Sequence, residues 1–212
     1  MVLSRHKTLV LACGALAKEI LFLKDQIGAE FDLQCLPASY HNFPDKIVPG
    51  LEKELGDTYG NYDEILIGYG DCGTGGGLDR FLADYPNARR LPGAHCYAFF
   101  AGISEFDAMM EEELGSFFLT DYLVRHFQTL IVKGFGIEKY PNLKDMYFEN
   151  YKRLIYLVQD PSQNLSTKAQ EAAEFLGLEY EERRVGYGLM ADAIEYIAKD
   201  KRPSQKRATH RA

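Results

Sequence analysis

Four cysteines, Cys13, Cys35, Cys72 and Cys96, stand in a chain of 212 residues, and three of them share a setting that suits chemistry. Thr8-Leu9-Val10-Leu11-Ala12 is an apolar, partly β-branched run ending at Cys13-Gly14. A second apolar run, Glu64 to Tyr69, gives way to the glycine-rich stretch Gly70 to Gly77, which contains Cys72. Cys96 follows His95 in Leu91-Pro92-Gly93-Ala94-His95-Cys96-Tyr97, a loop bounded by proline and glycine. Three thiolates, or two with an imidazole, suit a soft or borderline cation, and three protein ligands with an open fourth position is the catalytic form of zinc. Cys13, Cys72 and Cys96 are therefore the candidate metal ligands, with zinc as the ion. Reactive or redox cysteines and simple packing cysteines are the alternatives, because no CxxC pair is present.

Around these thiols the sequence nominates a small-ligand pocket. Gly70, Asp71, Gly73, Thr74, Gly75 and Gly76 follow a strand and precede a helix, the place where open α/β folds put ligands. Their backbone permits close approach, with amides free to meet an anion or a sulfur. His95 is the neighbouring polar group. The loop lacks the Gly-Lys-Ser/Thr ending of a Walker loop and the glycine spacing of a dinucleotide fingerprint. His41 is a base or ligand at the same edge, or a surface residue, and Asp71 and Asp79 orient a ligand or cap the helix. Cys35, inside an alternating segment, is read as packing. Glu105, Asp107 and Glu111 to Glu113 are read as a solvated helix face, and Tyr97-Ala98-Phe99-Phe100 as core near the ligand.

The elements that must position these groups alternate. Strand runs at 8–12, 31–36, 64–69 and 154–158 are each followed by a segment of helical spacing, at 15–22, 47–55, 78–82 and 166–176. Phe117 to Lys133 reads as one long apolar helix and Asn142 to Lys152 as a second. The fold class is α/β, a mainly parallel sheet with helices on both faces and a helical insertion. One α/β domain over residues 1–198 is expected, with a helical layer at about 103–152 and a disordered tail over 199–212. Gly186-Tyr187-Gly188 echoes Gly68-Tyr69-Gly70, too short an echo to establish a repeat.

Composition narrows the partners. The net charge of −7 and the scattered lysines and arginines offer no basic stripe, so nucleic acid is excluded as an expectation and a small-molecule ligand is favoured. Met1 to Lys7 is too short and polar for a signal peptide, and no apolar run reaches membrane-spanning length. The expected location is the cytoplasm, where reducing conditions make disulfides rare.

Cys13-Gly14-Ala15-Leu16-Ala17-Lys18-Glu19-Ile20, the Tyr69 to Asp79 loop, Arg90 to Tyr97 and Phe117-Phe118-Leu119-Thr120-Asp121 together resemble an uncharacterised family of bacterial and archaeal proteins carrying a domain of unknown function. The resemblance spans nearly all of the chain except the tail. It implies a neighbourhood of corrinoid-dependent methyltransferases acting on methylamines and betaines, hence a role in one-carbon metabolism, with corrinoid or methyltransferase proteins as partners. It transfers no catalytic residue. The resulting expectation is a zinc-thiolate protein of one-carbon or sulfur metabolism, transferring a methyl group to a thiol or corrinoid. The alternative is a non-catalytic accessory protein that holds a small metabolite or cobamide and has structural cysteines. An iron–sulfur cluster on the same thiols ranks third, since a four-iron cluster needs a further ligand.

Overall fold

The computed structural model of the protein describes residues 6–200. Its first half runs β1 (Thr8–Cys13), α1 (Ala17–Ile27), β2 (Asp32–Leu36), α2 (Ile47–Thr58), β3 (Glu64–Gly68), α3 (Gly77–Leu82) and β4 (Ala88–Arg90). Its second half runs α4 (Cys96–Ala101), α5 (Ile103–Glu112), β5 (Ser116–Thr120), α6 (Asp121–Arg125), α7 (Asn142–Phe148), β6 (Arg153–Val158), α8 (Ser166–Leu176), β7 (Glu179–Arg184) and α9 (Gly188–Asp200). The protein is an α/β fold, and its pairings are parallel: a four-stranded sheet in the order β2-β1-β3-β4 and a three-stranded sheet in the order β5-β6-β7.

β1 lies inside the first sheet and every one of its residues is buried, which is why it reads as a continuous apolar run and not as an alternating one. Beneath and above the sheet, Ile20 and Leu23 of α1, Ile47, Leu51 and Leu55 of α2, and Leu78 of α3 join its core. In the second sheet the two faces divide cleanly. Phe118, Ile155 and Leu157 pack against Ala98 of α4 and Phe106 and Met109 of α5. Leu119, Leu154, Tyr156 and Val158 pack on the other side with Leu123 and Val124 of α6 and Ala169, Ala172, Ala173 and Leu176 of α8. Each fully buried large side chain of this kind contributes about 1.5–3 kcal/mol.

α9 joins the halves. It leaves the second sheet after β7, yet it packs on α1 and α4, and its Met190, Ile194 and Ile197 are buried in the first sheet's core. The last helix of the second half thus closes the first.

The sequence expectations need four corrections. Phe117 to Lys133 is not one helix: Ser116–Thr120 is the edge strand β5, followed by α6 and a π-helical turn at Gln128–Lys133. A short apolar run fits a buried parallel strand as well as a buried helix. α7 stops at Phe148, because Lys152 and Arg153 donate their amides to the carbonyl of Gly115 and carry the chain into β6. The strands β4 and β7 are too short or too charged to read from periodicity. Finally, Cys35 is exposed and not packed, since β2 is an edge strand in which only Leu36 is buried.

Of the expected tail, Lys199 and Asp200 end α9; residues 201–212, and residues 1–5 at the start, lie outside the described residues. Among those described, no helix is long and apolar enough to cross a membrane.

Candidate functional site: a thiol-lined cavity at the sheet edge

The register of the first sheet brings the chemistry together. Ala12 of β1 is level with Gly68 of β3 and Cys13 with Leu36 of β2, so Cys13 and Tyr69 end neighbouring strands at the same edge. Just beyond, the chain from β3 is tied to the segment after β4: Asp71 N–H donates to the Gly93 carbonyl at 3.1 Å and Cys72 N–H to the Ala94 carbonyl at 2.7 Å. Gly70 permits this approach, because a Cβ there would stand 2.9 Å from the Gly93 carbonyl oxygen. That pairing sets Cys72 beside Cys96, the first residue of α4. Cys72 is held at φ +47°, a left-handed conformation that costs a non-glycine residue about 1 kcal/mol or more and recurs at working sites.

Cys13, Cys72 and Cys96 line one cavity of about 250 Å³, together with His41, His95 and Tyr97 and the apolar groups of Leu16, Pro44 and Ile47. No Asp, Glu, Lys or Arg lines it. Tyr97 connects the histidines: its ring is 6.3 Å from that of His41 and 6.2 Å from that of His95, and its hydroxyl lies 3.4 Å from His41 Nε2. Among the described residues, no three His, Cys, Asp or Glu side chains are gathered as an ion would need them.

The glycine turn behaves differently from its sequence expectation. Gly73 and His95 line the cavity, whereas Gly70, Asp71, Thr74, Gly75 and Gly76 do not. The turn closes on its own aspartate: Asp71 accepts from the Thr74 hydroxyl at 2.7 Å, from Gly75 N–H at 3.0 Å and from Gly76 N–H at 2.7 Å. Thr74 Oγ1 in turn accepts from Leu78 N–H at the start of α3. The amides of Gly75 and Gly76 that would have met an anion are thus taken by an internal carboxylate. Asp79 is equally engaged, in a two-pronged pair with Arg90.

The thiols differ in their readiness to ionise. Cys72 is held below the usual thiol range, first because the Cys96 thiol donates to it, with the backbone amides of Gly70 and Cys96 adding to this against the cost of burial. Cys96 is pushed well up by donating that bond and by burial. Burial pushes Cys13 up to about 11. Burial also lowers both His41 and His95, which favours neutral imidazoles able to accept a proton or bind a soft centre. Beneath Cys13, the Tyr69 hydroxyl is buried and makes no hydrogen bond of acceptable geometry; burial and then Cys13 act on its ionisation.

Residues 35–194 match the family described as a protein of unknown function, DUF1638. The chain belongs to that family. The matched span contains Cys72, Cys96, His41, His95 and Tyr97, while Cys13 precedes it. No curated protein and no solved structure matches the chain. What the cavity does in this DUF1638 chain therefore rests on its own geometry.

Sequence reasoning missed Tyr69 and the apolar wall of Leu16, Pro44 and Ile47. The apolar types carry no chemical signal, and only the fold brings them and Tyr69 to one edge. For Tyr97, placed at the sequence level as core near a ligand, the structure supplies the sharper role of spacer between two histidines.

Proposed function

We propose that this DUF1638 chain is a thiolate protein of one-carbon or sulfur metabolism. Cys13, Cys72 and Cys96 hold a soft metal ion, zinc by preference, and present it to a small ligand in the cavity. The single observation that carries the reading is the arrival of three cysteines from three separate segments, β1, the glycine turn and the start of α4, at one cavity wall. A zinc ion there would keep a substrate thiol as thiolate at neutral pH and so prepare it to attack a methyl group. The chain's own residues supply the rest. Cys72, whose thiol is held below the usual range, is the first thiolate, and binding releases the proton of Cys96 and draws in Cys13. His95 and His41 stand ready to take a proton, and the apolar wall excludes water, which strengthens every charge interaction inside.

A second reading is a non-catalytic binding protein whose cysteines are structural. The absence, among the described residues, of a ready three-ligand cluster favours it. The self-closed glycine turn and a cavity of about 250 Å³ leave such a protein suited to a small uncharged metabolite, not to a whole cobamide. Corrinoid contact is then made with a partner protein.

The test is metal content after purification without oxygen, for the wild type beside Cys72→Ser. The metal reading expects about one equivalent of zinc per wild-type chain, lost in the variant. No metal in either protein, with both folded, leaves the second reading.

A further inference from the structure

We propose that Cys72 and Cys96, in the metal-free protein, form a thiol–disulfide exchange pair whose substrates are small uncharged disulfides. The inference does not rest on the zinc reading. The two thiols come from segments 24 positions apart in sequence, yet both line the same cavity. The backbone holds them there: Cys72 N–H donates to the Ala94 carbonyl at 2.7 Å, two residues before Cys96. Two thiols brought to one cavity by adjoining backbone meet the first requirement of a disulfide. Cys13 shares the cavity but is 7% exposed and comes from β1, outside the backbone pairing of residues 71–72 with 93–94; Cys35 is exposed and does not line the cavity.

The cavity selects the partner disulfide. It holds about 250 Å³ and presents no Asp, Glu, Lys or Arg. A charged disulfide would lose its hydration there with no counter-charge to replace it. An uncharged one of a few carbons enters with little desolvation.

Both steps balance. Cys72 thiolate attacks one sulfur of RSSR; the S–S bond breaks, Cys72–S–SR forms and RS⁻ leaves, taking a proton to become RSH. Cys96 then loses its proton, attacks the Cys72 sulfur, and expels the second RS⁻, which also leaves as RSH. The protein loses two hydrogens and is oxidised, and the disulfide is reduced to two thiols.

The experiment uses full-length, reduced, metal-stripped protein carrying Cys35→Ser, mixed with bis(2-hydroxyethyl) disulfide or with glutathione disulfide, followed by mass spectrometry and peptide mapping. Expected is a Cys72–Cys96 crosslink that forms roughly tenfold or more faster with the uncharged reagent, because only the charged one has to be desolvated. Cys96→Ser should stop at a mixed disulfide on Cys72, and Cys13→Ser should close like its parent. A crosslink involving Cys13, no crosslink at all, or glutathione disulfide reacting as fast overturns the proposal, and the parent protein alone decides this if a variant fails to fold. Closure in a protein that binds no zinc would sink only the metal reading, and zinc binding without closure only this one.

Discussion

Asp71 accepts the backbone amide of Gly76 at 2.7 Å, and with that bond a carboxylate of the protein occupies the place where a glycine-rich turn would greet an anion. The turn is thus braced from within by its own aspartate. It fixes the angle at which Cys72 leaves β3, and it does so with a residue that itself faces away from the cavity.

Replacing Asp71 by Ala should cost about 1–3 kcal/mol, since the Gly75 and Gly76 amides and the Thr74 hydroxyl lose their acceptor together. Urea denaturation measures this. The site should suffer with it: iodoacetamide should label Cys72 less selectively, because the turn no longer holds it beside Cys96. Asp71 is also held below the usual carboxylate range, first by the Thr74 hydroxyl. Its contribution is present in full above the ordinary value of 3.8 and disappears as pH falls through the lower folded-state value. The gap between wild type and Asp71→Ala should narrow only in that acid window; a gap that persists unchanged at the acid end would refute the assignment.

A second carboxylate does for the other sheet what Asp71 does for the turn. Asp121 is fully buried and accepts from the Tyr156 hydroxyl at 2.7 Å and from the amides of Gln159 at 3.1 Å and Asp160 at 2.9 Å, tying the end of β5 to the end of β6. Tyr156→Phe removes one donor while the amides remain, so the expected loss is about 1–2 kcal/mol. Asp121→Ala strands two amides and a buried phenol and should lose more. Thermal unfolding of the two variants orders them, and equal effects would mean that the network acts mainly through packing.

How far the sequence could be read follows from what each signal encodes. The strand at Leu154 to Val158 and the helix at Ser166 to Leu176 were legible because their periods and the polar loop between them agree. That Cys13 and Cys72 line one cavity accords with one rule, that neighbouring strands of a parallel sheet end at one edge. Phe117-Phe118-Leu119 carries no such agreement, since a continuous apolar run fits either period, and only its pairing with β6 settles it. The internal bracing of the glycine turn is hidden for another reason. Its composition announces free amides, but whether an internal acceptor already holds them depends on the rotamer of Asp71, which no spacing reports. The return of α9 to the first core was hidden as well, because an amphipathic helix does not state which sheet it covers.

That return gives a mechanical prediction. Ile194 is 1% exposed in the first sheet's core, although its helix grows out of the second. Ile194→Ala should cost about 2–5 kcal/mol by the cavity it leaves. If α9 couples the halves, urea unfolding followed separately at the cavity cysteines, by labelling, and at the second sheet, by amide exchange, should shift together. A shift confined to the first sheet would mean that α9 only covers it.

Glu19 supplies the prediction with the clearest pH signature. Its side chain is 3% exposed; Oε1 accepts from Arg125 Nη2 at 3.2 Å and Oε2 has no partner. Burial raises its pKa above the ordinary 4.5, and the Arg125 charge opposes this only in part. The folded state therefore binds the proton more tightly than the unfolded one. The resulting penalty is absent below the unfolded value, grows as pH rises between that value and the folded one, and is constant above both. Glu19→Gln keeps a carbonyl for Arg125 and removes the buried charge. The variant should show a higher urea midpoint than wild type at pH 7 and no advantage below pH 4.5, the ordinary value. If it is instead less stable at pH 7 and matches wild type in acid, the ion pair with Arg125 outweighs the cost of burying the carboxylate, and the start of α1 is held to α6 by charge, not in spite of it.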